Sequence, residues 1–286
     1  MRAAIRILTL SLALSLGACT GLLFHPQREL LITPDRVGVA YRDIAFTAAD
    51  GVELHGWFLP AETGVASGEA CTVLFLHGNA ENISTHLGAV WWLPAKGYNV
   101  FLFDYRGYGR SAGEPTLPGL HLDDATALET VFSMEGVDSG KIVVFAQSLG
   151  GAVAITALAQ SPYRHRVRAL ITESAFSDYR GITREKLAGF WLTWPLQGPL
   201  SLTMNNDYKP LEAIGKISPT PVLIIHGLAD RIIPPHHADA LYDAAGEPKE
   251  KWLLPDTKHI QSTLKEENRK RFTDYLAAKC GAAASG

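Results

Sequence analysis

The sequence predicts an α/β fold built on a mostly parallel central sheet, and its apolar pattern is the main reason. Six short runs are almost continuously apolar, which is typical of strands that are buried on both faces of a parallel sheet. They cover residues 72–76, 100–103, 142–145, 167–171, 222–225 and 252–254. The segments between them place apolar residues at helical spacing, so we expect helices on both faces of the sheet.

Two further strands are expected before the first of these runs. Residues 43–47 and 52–59 have strand patterns, and the turn Ala49-Asp50-Gly51 between them favours a leading antiparallel hairpin. Helical spacing is clear in residues 83–91 and in a final amphipathic segment that we expect to open at His259. With 286 residues, 47% of them hydrophobic, the chain is long enough for one large domain. We assign this domain to residues 39–280 and a flexible tail to residues 281–286.

The composition disfavours several classes of protein. The formal net charge is −3, and Lys and Arg are spread along the chain, so nucleic-acid binding is not expected. Three cysteines are too few for a disulfide framework, and no C-x-x-C pair is present to hold a metal or to run redox chemistry. No Walker loop and no G-x-G-x-x-G after a strand occurs. We therefore expect neither a metal nor an organic cofactor.

Residues 1–18 have the pattern of a signal peptide. Two arginines precede an apolar run that is too short to span a bilayer comfortably. The run ends in Leu16-Gly17-Ala18-Cys19, which resembles the lipobox of bacterial lipoproteins. The alternatives are an ordinary secretory peptide that is cut at an A-x-A-like site and an uncleaved anchor.

The lipoprotein resemblance implies a location for the protein. Cys19 would become the acylated N-terminus of the mature chain and would anchor it in the bacterial cell envelope. Thr20, in place of Asp, fits sorting to the outer membrane, with the domain facing the periplasm. Residues 19–38 form a membrane-proximal segment whose large apolar side chains would be costly to leave in water along a flexible tether. We therefore expect the domain to lie close to the membrane.

The turn after the third apolar run carries the clearest chemical signal. Residues 142–145 lead into Ala146-Gln147-Ser148-Leu149-Gly150 and then into a helical stretch of small residues. A serine in a tight strand-to-helix turn has a strained backbone, and the residues two positions away must be small so that strand and helix can approach. Ser148 is therefore the candidate nucleophile, and Ala146 is a mild departure from the usual glycine.

Two backbone N–H groups are candidates for stabilising a developing oxyanion. The amide of Leu149 lies at the start of the helix, where unpaired amides and the helix dipole favour negative charge. The amide of Asn79 follows the strand at residues 72–76 in a His77-Gly78 turn. We interpret His77 as a packing residue of that turn.

A serine hydroxyl needs a base to take its proton and an acid to orient that base. His259, which follows the last strand, is the candidate base; His226 is interpreted as structural, and His236 and His237 as a surface pair.

The candidate acid is Asp230, because the loop after the strand at residues 222–225 can aim its carboxylate at His259. Glu173, in the turn after the preceding strand, is the alternative. Asp104 and Asp256 are interpreted as loop caps.

Taken together, these motifs resemble those of the α/β-hydrolase superfamily over residues 41–280. The matching segments are L-F-L-H-G-N-A-E-N-I, F-D-Y-R-G-Y-G-R-S, A-Q-S-L-G-G, E-S-A-F and H-G-L-A-D-R-I-I-P. They are similar to the subgroup that contains membrane-associated protein depalmitoylases of eukaryotes and many bacterial hydrolases, with serine aminopeptidases and monoacylglycerol lipases as more distant relatives.

The resemblance implies the α/β-hydrolase fold and its catalytic residues. The triad would be Ser148, Asp230 and His259, in the chain order of that superfamily, and the oxyanion hole would consist of the Asn79 and Leu149 amides. Many lipases have His where this chain has Gln147, so the resemblance does not imply a lipase.

Residues 177–210 depart from the alternation of strand and helix and are rich in large apolar groups. We expect a small cap that shapes an acyl pocket; ordinary packing of a surface helix and contact with a membrane interface are the alternatives. The apolar groups are Leu187, Phe190, Trp191, Leu192, Trp194, Leu196 and Leu200.

The function that this pattern favours is hydrolysis of small acyl esters or thioesters by a serine hydrolase that is anchored to the membrane through a lipidated Cys19. The reaction would pass through an acyl-enzyme intermediate. A serine aminopeptidase-like peptidase is one alternative, and a non-catalytic binding lipoprotein of the envelope is another.

Overall fold

The computed structural model describes residues 24–62, 68–189 and 191–281. The predicted signal peptide, Cys19, Phe190 and residues 282–286 of the predicted tail lie outside the described residues.

The central sheet of the described residues has eight strands in the order β10-β9-β8-β7-β4-β6-β3-β2, and β1 pairs with β5 in a separate two-stranded sheet. The strands are β1 His25–Pro26, β2 Arg42–Thr47, β3 Glu53–Leu59, β4 Thr72–Leu76, β5 Ala80–Glu81, β6 Asn99–Asp104, β7 Ile142–Gln147, β8 Ala169–Glu173, β9 Val222–Gly227 and β10 Lys249–Leu254. The predicted mostly parallel sheet with a leading antiparallel hairpin is confirmed, since β3 pairs antiparallel with β2 and β6 and the other pairs in this sheet are parallel.

The parallel strands end together at one edge of the sheet. Leu76 of β4 pairs with Ala146 of β7, and Gln147 pairs with Glu173 of β8. The loops that carry Asn79, Ser148, Asp230 and His259 all leave this carboxyl edge, which is where ligand sites form in open α/β sheets.

Helices cover both faces of the sheet. They are α1 Ile83–His86, α2 Leu117–Ser133, α3 Leu149–Gln160, α4 Tyr179–Ala188, α5 Gln197–Ser201, α6 Pro210–Ala213, α7 His236–Ala244 and α8 Glu266–Cys280. Within the part of the chain that the structure describes, none of the helices is long and apolar enough to cross a membrane.

Among the described residues, the core consists of two apolar clusters, one on each face of the sheet. Leu74 and Val144 point to the face that α2, α3 and α7 cover, whereas Val73 and Val143 point to the face that α1 and α8 cover. Because successive strand residues face opposite sides, strands buried on both faces must be apolar throughout. This is why the apolar runs located the strands.

Two predicted helices differ from the structure. The regular helix in residues 83–91 is only α1, which continues as the short 3-10 helix Leu87–Ala89. The final helix α8 begins at Glu266 and not at His259. Ile260 has a φ of +49°, which is incompatible with a right-handed helix at that point, so His259 lies in a turn.

The beginning of the described chain packs onto the domain. Phe24 is buried, and β1 pairs with β5 just after the Asn79 loop. The side-chain amide of Asn82 donates hydrogen bonds to the backbone oxygens of Gln27 and Glu29. Residues 24–29 therefore belong to the wall around the loop after β4.

A disulfide joins the beginning of β4 to the end of α8. Cys71, immediately before β4, is bonded to Cys280, the last residue of α8, across 209 residues of sequence. Three cysteines are too few for a framework of several disulfides, as expected, but the sequence analysis did not foresee this single long-range disulfide. Both sulfur atoms are buried in the cluster between the sheet and α8.

Replacing Cys71 and Cys280 together by serine is expected to lower the free energy of unfolding by about 2–5 kcal/mol, because the bridge removes conformational entropy from the unfolded chain. Urea denaturation measures the change. Dithiothreitol should lower the urea midpoint of the wild type to about that of the double variant. It should leave the urea midpoint of the double variant unchanged. Equal midpoints for the oxidised wild type and the double variant would contradict this expectation.

Candidate active site

Ser148 occupies a sharp turn between β7 and α3. Its backbone has φ +54° and ψ −119°, a conformation that side-chain-bearing residues rarely adopt. The Ser148 N–H donates to the Glu173 backbone oxygen at 2.8 Å, and the Ala152 N–H donates to the Ser148 oxygen at 3.2 Å. These bonds hold the strained turn, as expected for a serine nucleophile between a strand and a helix.

Close packing explains the glycines of this turn. A Cβ on Gly150 would lie 2.5 Å from the His77 backbone oxygen and 2.8 Å from that of Leu76. A Cβ on Gly151 would lie 2.8 Å from the Cβ of Ala175. All three distances are shorter than non-bonded contacts allow, so α3 packs against the end of β4 and the loop after β8 only because Gly150 and Gly151 have no side chain.

The structure brings the three predicted triad side chains together. His259 Nδ1 lies 2.8 Å from Asp230 Oδ2, and His259 Nε2 lies 3.0 Å from Ser148 Oγ. An ionised carboxylate only accepts hydrogen bonds, so Nδ1 of a neutral imidazole carries the proton and Nε2 can accept the hydroxyl proton of Ser148.

The surroundings of Asp230 keep its carboxylate ionised. Burial by itself would raise the pKa of Asp230, but the hydrogen bond and charge of His259 and the amides of Ile233 and Ile232 lower it to about 2. Those two amides donate to Asp230 Oδ1 at 2.9 and 2.8 Å. At neutral pH Asp230 therefore presents a fixed negative charge to the imidazole.

Glu173, the alternative acid, has other partners. Its Oε2 accepts a hydrogen bond from the Gln147 side chain at 2.7 Å, and its Oε1 accepts one from the Ser262 N–H at 2.7 Å. Burial raises the pKa of Glu173 above its usual range, although both partners lower it. Glu173 therefore links the end of β7 to the segment after His259. Asp230, and not Glu173, is the carboxylate that is hydrogen-bonded to the imidazole.

The loop that carries His259 is held against the end of β9. A Cβ on Gly227 would lie 2.1 Å from the Thr257 oxygen, so only glycine allows this approach. The Ala229 N–H donates to the same oxygen at 3.1 Å. Asp256 and Ile260 both have positive φ, which turns the imidazole back towards Ser148.

The two oxyanion candidates line the same cavity as Ser148. Leu149 is the first residue of α3, where backbone N–H groups point out of the helix. The Tyr108 hydroxyl donates to the Asn79 backbone oxygen at 2.8 Å, and its distance to Asn79 Oδ1 is 3.2 Å. Tyr108 therefore fixes the Asn79 loop, a role that sequence analysis missed although it quoted the motif around this residue.

The cavity at Ser148 has a volume of about 290 Å³ and is mainly apolar. Its wall includes the first described residue, the start of α2, the loop after β8, helix α4 and the loop after Asp230. The residues are Phe24, Asn79, Leu117, Ser148, Leu149, Phe176, Tyr179, Ile182, Thr183, Lys186, Leu187, Met204, Ile232 and Ile233. The cap predicted in residues 177–210 thus contributes to the cavity through α4 and Met204, whereas the contribution of Phe24 was not foreseen.

The other histidines near the site are engaged elsewhere. His77 is fully buried, and its Nδ1 lies 2.7 Å from the Gly78 oxygen. Burial and the nearby charge of His86 lower the pKa of His77 well below its usual value. His226 is also buried, and its Nε2 lies 2.9 Å from the Ile233 oxygen. Both residues pack the turns that carry site residues, as the sequence analysis expected.

The interpretation of His236 and His237 as a surface pair is wrong for His237. His236 is exposed, but His237 is buried because its ring lies against Ser177, whose N–H donates to His237 Nδ1 at 3.2 Å. The Nε2 atoms of His236 and His237 lie 3.1 and 3.3 Å from the carboxylate oxygens of Glu185. The three side chains tie α4 of the cap to α7.

This cluster is also the set of described residues whose donor atoms could hold a metal ion, since those atoms lie within 4.8 Å of one another. The hydrogen bond from the Ser177 amide makes His237 Nδ1 an acceptor, so the ring proton lies on Nε2 and faces Glu185. In that position the Nε2–H of His237 is directed as a hydrogen-bond donor at the Glu185 carboxylate.

Comparison with known proteins identifies the family. Residues 69–211 match the sequence model of the family Hydrolase_4, described as serine aminopeptidase, S33. The chain is 39% identical over 236 residues to the uncharacterized protein YfhR of Escherichia coli strain K12, covering 82% of this chain and 79% of that one. It is 35% identical to the alpha/beta hydrolase domain-containing protein WAV2 of Arabidopsis thaliana, covering 75% and 70%. The chain therefore belongs to this family of α/β-hydrolases.

Solved structures agree on the fold. The structure of the Pyrococcus furiosus esterase Pf2001 is similar to this chain with a TM-score of 0.71 and 23% sequence identity, and the match covers 90% of this chain and 100% of that one. At this identity the similarity establishes the α/β-hydrolase fold.

The two candidate acids can be separated by substitution. Asp230→Asn is expected to lower kcat for p-nitrophenyl acetate by about 10⁴-fold, because the imidazole loses its charged partner and its fixed tautomer. Glu173→Gln is expected to lower it by less than about tenfold, since an amide oxygen still accepts the Ser262 N–H. A larger loss for Glu173→Gln than for Asp230→Asn would assign the acid to Glu173.

Proposed function

We propose that this protein is a serine hydrolase that cleaves carboxylic ester or thioester bonds through an acyl-enzyme intermediate. The observation that carries the proposal is the continuous hydrogen-bonded chain from Asp230 through His259 to Ser148 at the floor of an apolar cavity. Such a chain is what a serine needs to become a nucleophile at neutral pH.

In the first half of the reaction, Ser148 Oγ attacks the acyl carbonyl carbon while its proton passes to His259 Nε2. Asp230 stabilises the imidazolium that forms, and the amides of Asn79 and Leu149 are the proposed donors to the oxyanion. The tetrahedral intermediate collapses, and the leaving alkoxide or thiolate takes the proton from His259. The acyl group stays on Ser148.

In the second half, a water molecule gives a proton to His259 Nε2 and attacks the acyl-enzyme carbonyl. Collapse of the second intermediate returns the proton to Ser148 Oγ and releases the carboxylic acid. Water is the only co-reactant, and the cycle ends with Ser148 protonated and His259 neutral, as it began.

The cavity lining favours an acyl substrate over a peptide with a free amino terminus. Apolar residues such as Phe176, Ile182 and Met204 suit a hydrocarbon chain. An aminopeptidase would need an acid to bind the α-ammonium group, and the charged side chain among the described lining residues is Lys186, which would repel it. An esterase or thioesterase is therefore proposed ahead of a peptidase.

A location in the envelope is part of the proposal. Disulfides persist in oxidising compartments such as the periplasm, and the bond between Cys71 and Cys280 supports such a location. Cys19 is the proposed lipid attachment site, and lipidation would anchor the domain to the outer membrane.

Fluorophosphonate labelling tests the serine hydrolase. Ser148 of the wild-type protein should be labelled, and Ser148→Ala should lose both labelling and about 10⁶-fold in kcat on p-nitrophenyl esters. Ser174→Ala is the control, because Ser174 is a nearby serine outside the proposed triad. This variant should still be labelled at Ser148. No labelling of a folded wild-type protein would favour a non-catalytic binding role. Faster cleavage of aminoacyl p-nitroanilides than of esters would favour the peptidase.

Metabolic labelling with an alkyne fatty acid tests the anchor. Expressed in a bacterium with lipoprotein processing, the wild-type protein should incorporate label and fractionate with membranes, whereas Cys19→Ala should not incorporate label. Cys71→Ser is the matched control, since it removes a different cysteine and should keep the label. Equal labelling of the Cys19→Ala variant would contradict lipidation at this residue.

A further inference from the structure

The cap carries a cluster of exposed apolar side chains, which we name the cap face. Single exposed apolar residues are common on protein surfaces, but six large ones within twelve residues of sequence are not. The exposed fraction reaches 78% for Trp191, 60% for Trp194 and 66% for Leu202. The cap face consists of Trp191, Leu192, Trp194, Leu196, Leu200 and Leu202.

The cap face is connected to the wall of the cavity. Leu187, at the end of α4, lines the cavity, and its backbone oxygen accepts a hydrogen bond from the Thr193 hydroxyl at 2.7 Å. In the loop after Asp230, which faces α4, Ile232 both lines the cavity and is half exposed. The Lys186 ammonium donates to the Ile232 oxygen, which joins the cap to this loop. Apolar surface is therefore present both on the cap face and at the rim of the cavity.

The beginning of the chain indicates what the cap face contacts. Phe24 lines the same cavity, and Cys19 precedes it by five residues. Five residues span at most about 18 Å, so a lipid on Cys19 would enter a bilayer within that distance of the cavity wall. The proposed anchor thus brings the membrane to the side of the domain that carries the cavity.

The charges beside the cap face complement a bilayer with anionic lipids. Arg180, Arg184 and Lys186 are exposed on α4, and Arg231 is exposed on the facing loop. Tryptophans with neighbouring cations are typical of surfaces that lie at the interface between lipid headgroups and hydrocarbon.

We propose that the cap face docks on the lipid bilayer and that the acyl chain of the substrate enters the cavity directly from it. The proposal rests on the proposed serine hydrolase and narrows its substrate to long acyl chains held in a membrane, whether on a lipid or on an acylated protein. An acyl chain that moves from bilayer to cavity along apolar surface is never transferred through water.

The test uses the full chain, purified with its lipid anchor and reconstituted in vesicles of phosphatidylethanolamine and phosphatidylglycerol. The variant carries Trp191→Ser, Trp194→Ser and Leu202→Ser together. Trp91→Ser is the matched control, because Trp91 is an exposed tryptophan on the segment that returns to the opposite edge of the sheet.

Two substrates separate docking from catalysis. The triple variant should hydrolyse p-nitrophenyl palmitate embedded in vesicles at least about tenfold more slowly than the wild type, and p-nitrophenyl butyrate in solution within about twofold of it. Trp91→Ser should change neither rate. Equal wild-type and triple-variant rates on the embedded ester would overturn docking, whereas a wild type that hydrolyses neither ester would overturn the proposed function.

Fluorescence tests docking without any reaction. Brominated phosphatidylcholine in the vesicles should quench tryptophan emission of the wild type and of Trp91→Ser, and quench the triple variant much less. Equal quenching of the wild type and the triple variant would overturn the proposal. Absence of quenching together with emission that shifts with protein concentration would assign the cap face to a second copy of the chain.

Discussion

The contact between the first turn of α3 and the end of β4 is the constraint on which the site depends. Gly150 places the helix against the Leu76 and His77 oxygens at a distance that no side chain permits. The chain can enter the helix at this point only through the strained backbone of Ser148. The same contact sets Leu149 beside the loop of Asn79. One close approach of two backbones thereby positions the candidate nucleophile and both oxyanion candidates.

The sheet and the residues of the candidate triad could be predicted because each depends on a local signal. Strands buried on both faces have to be apolar throughout, so runs such as 142–145 are visible without any tertiary information. Ser148, Asp230 and His259 each follow a predicted strand, and parallel strands end at one edge. Topology then brings residues from distant parts of the sequence to within hydrogen-bond distance.

The features that could not be predicted depend on tertiary packing. Phe24 reaches the cavity because β1 pairs with β5, and a two-residue strand has no sequence pattern. His237 is buried by the loop that carries Ser177, although its sequence position at the start of a helix resembles that of exposed His236. The partners of Glu173, the Gln147 side chain and the Ser262 N–H, were likewise not predicted, because tertiary packing brings them together.

The disulfide has a consequence for the stoichiometry of sulfhydryl groups. The chain has three cysteines, and the bond between Cys71 and Cys280 removes two of them from the count of free thiols. The unfolded but unreduced polypeptide can therefore react with a thiol reagent at Cys19 alone. Lipidation converts the Cys19 thiol into a thioether, which has no S–H. One equivalent of thiol per chain therefore indicates an unmodified Cys19, and no reactive thiol indicates a modified Cys19. The bridge thus makes a bulk colorimetric titration specific for a single residue.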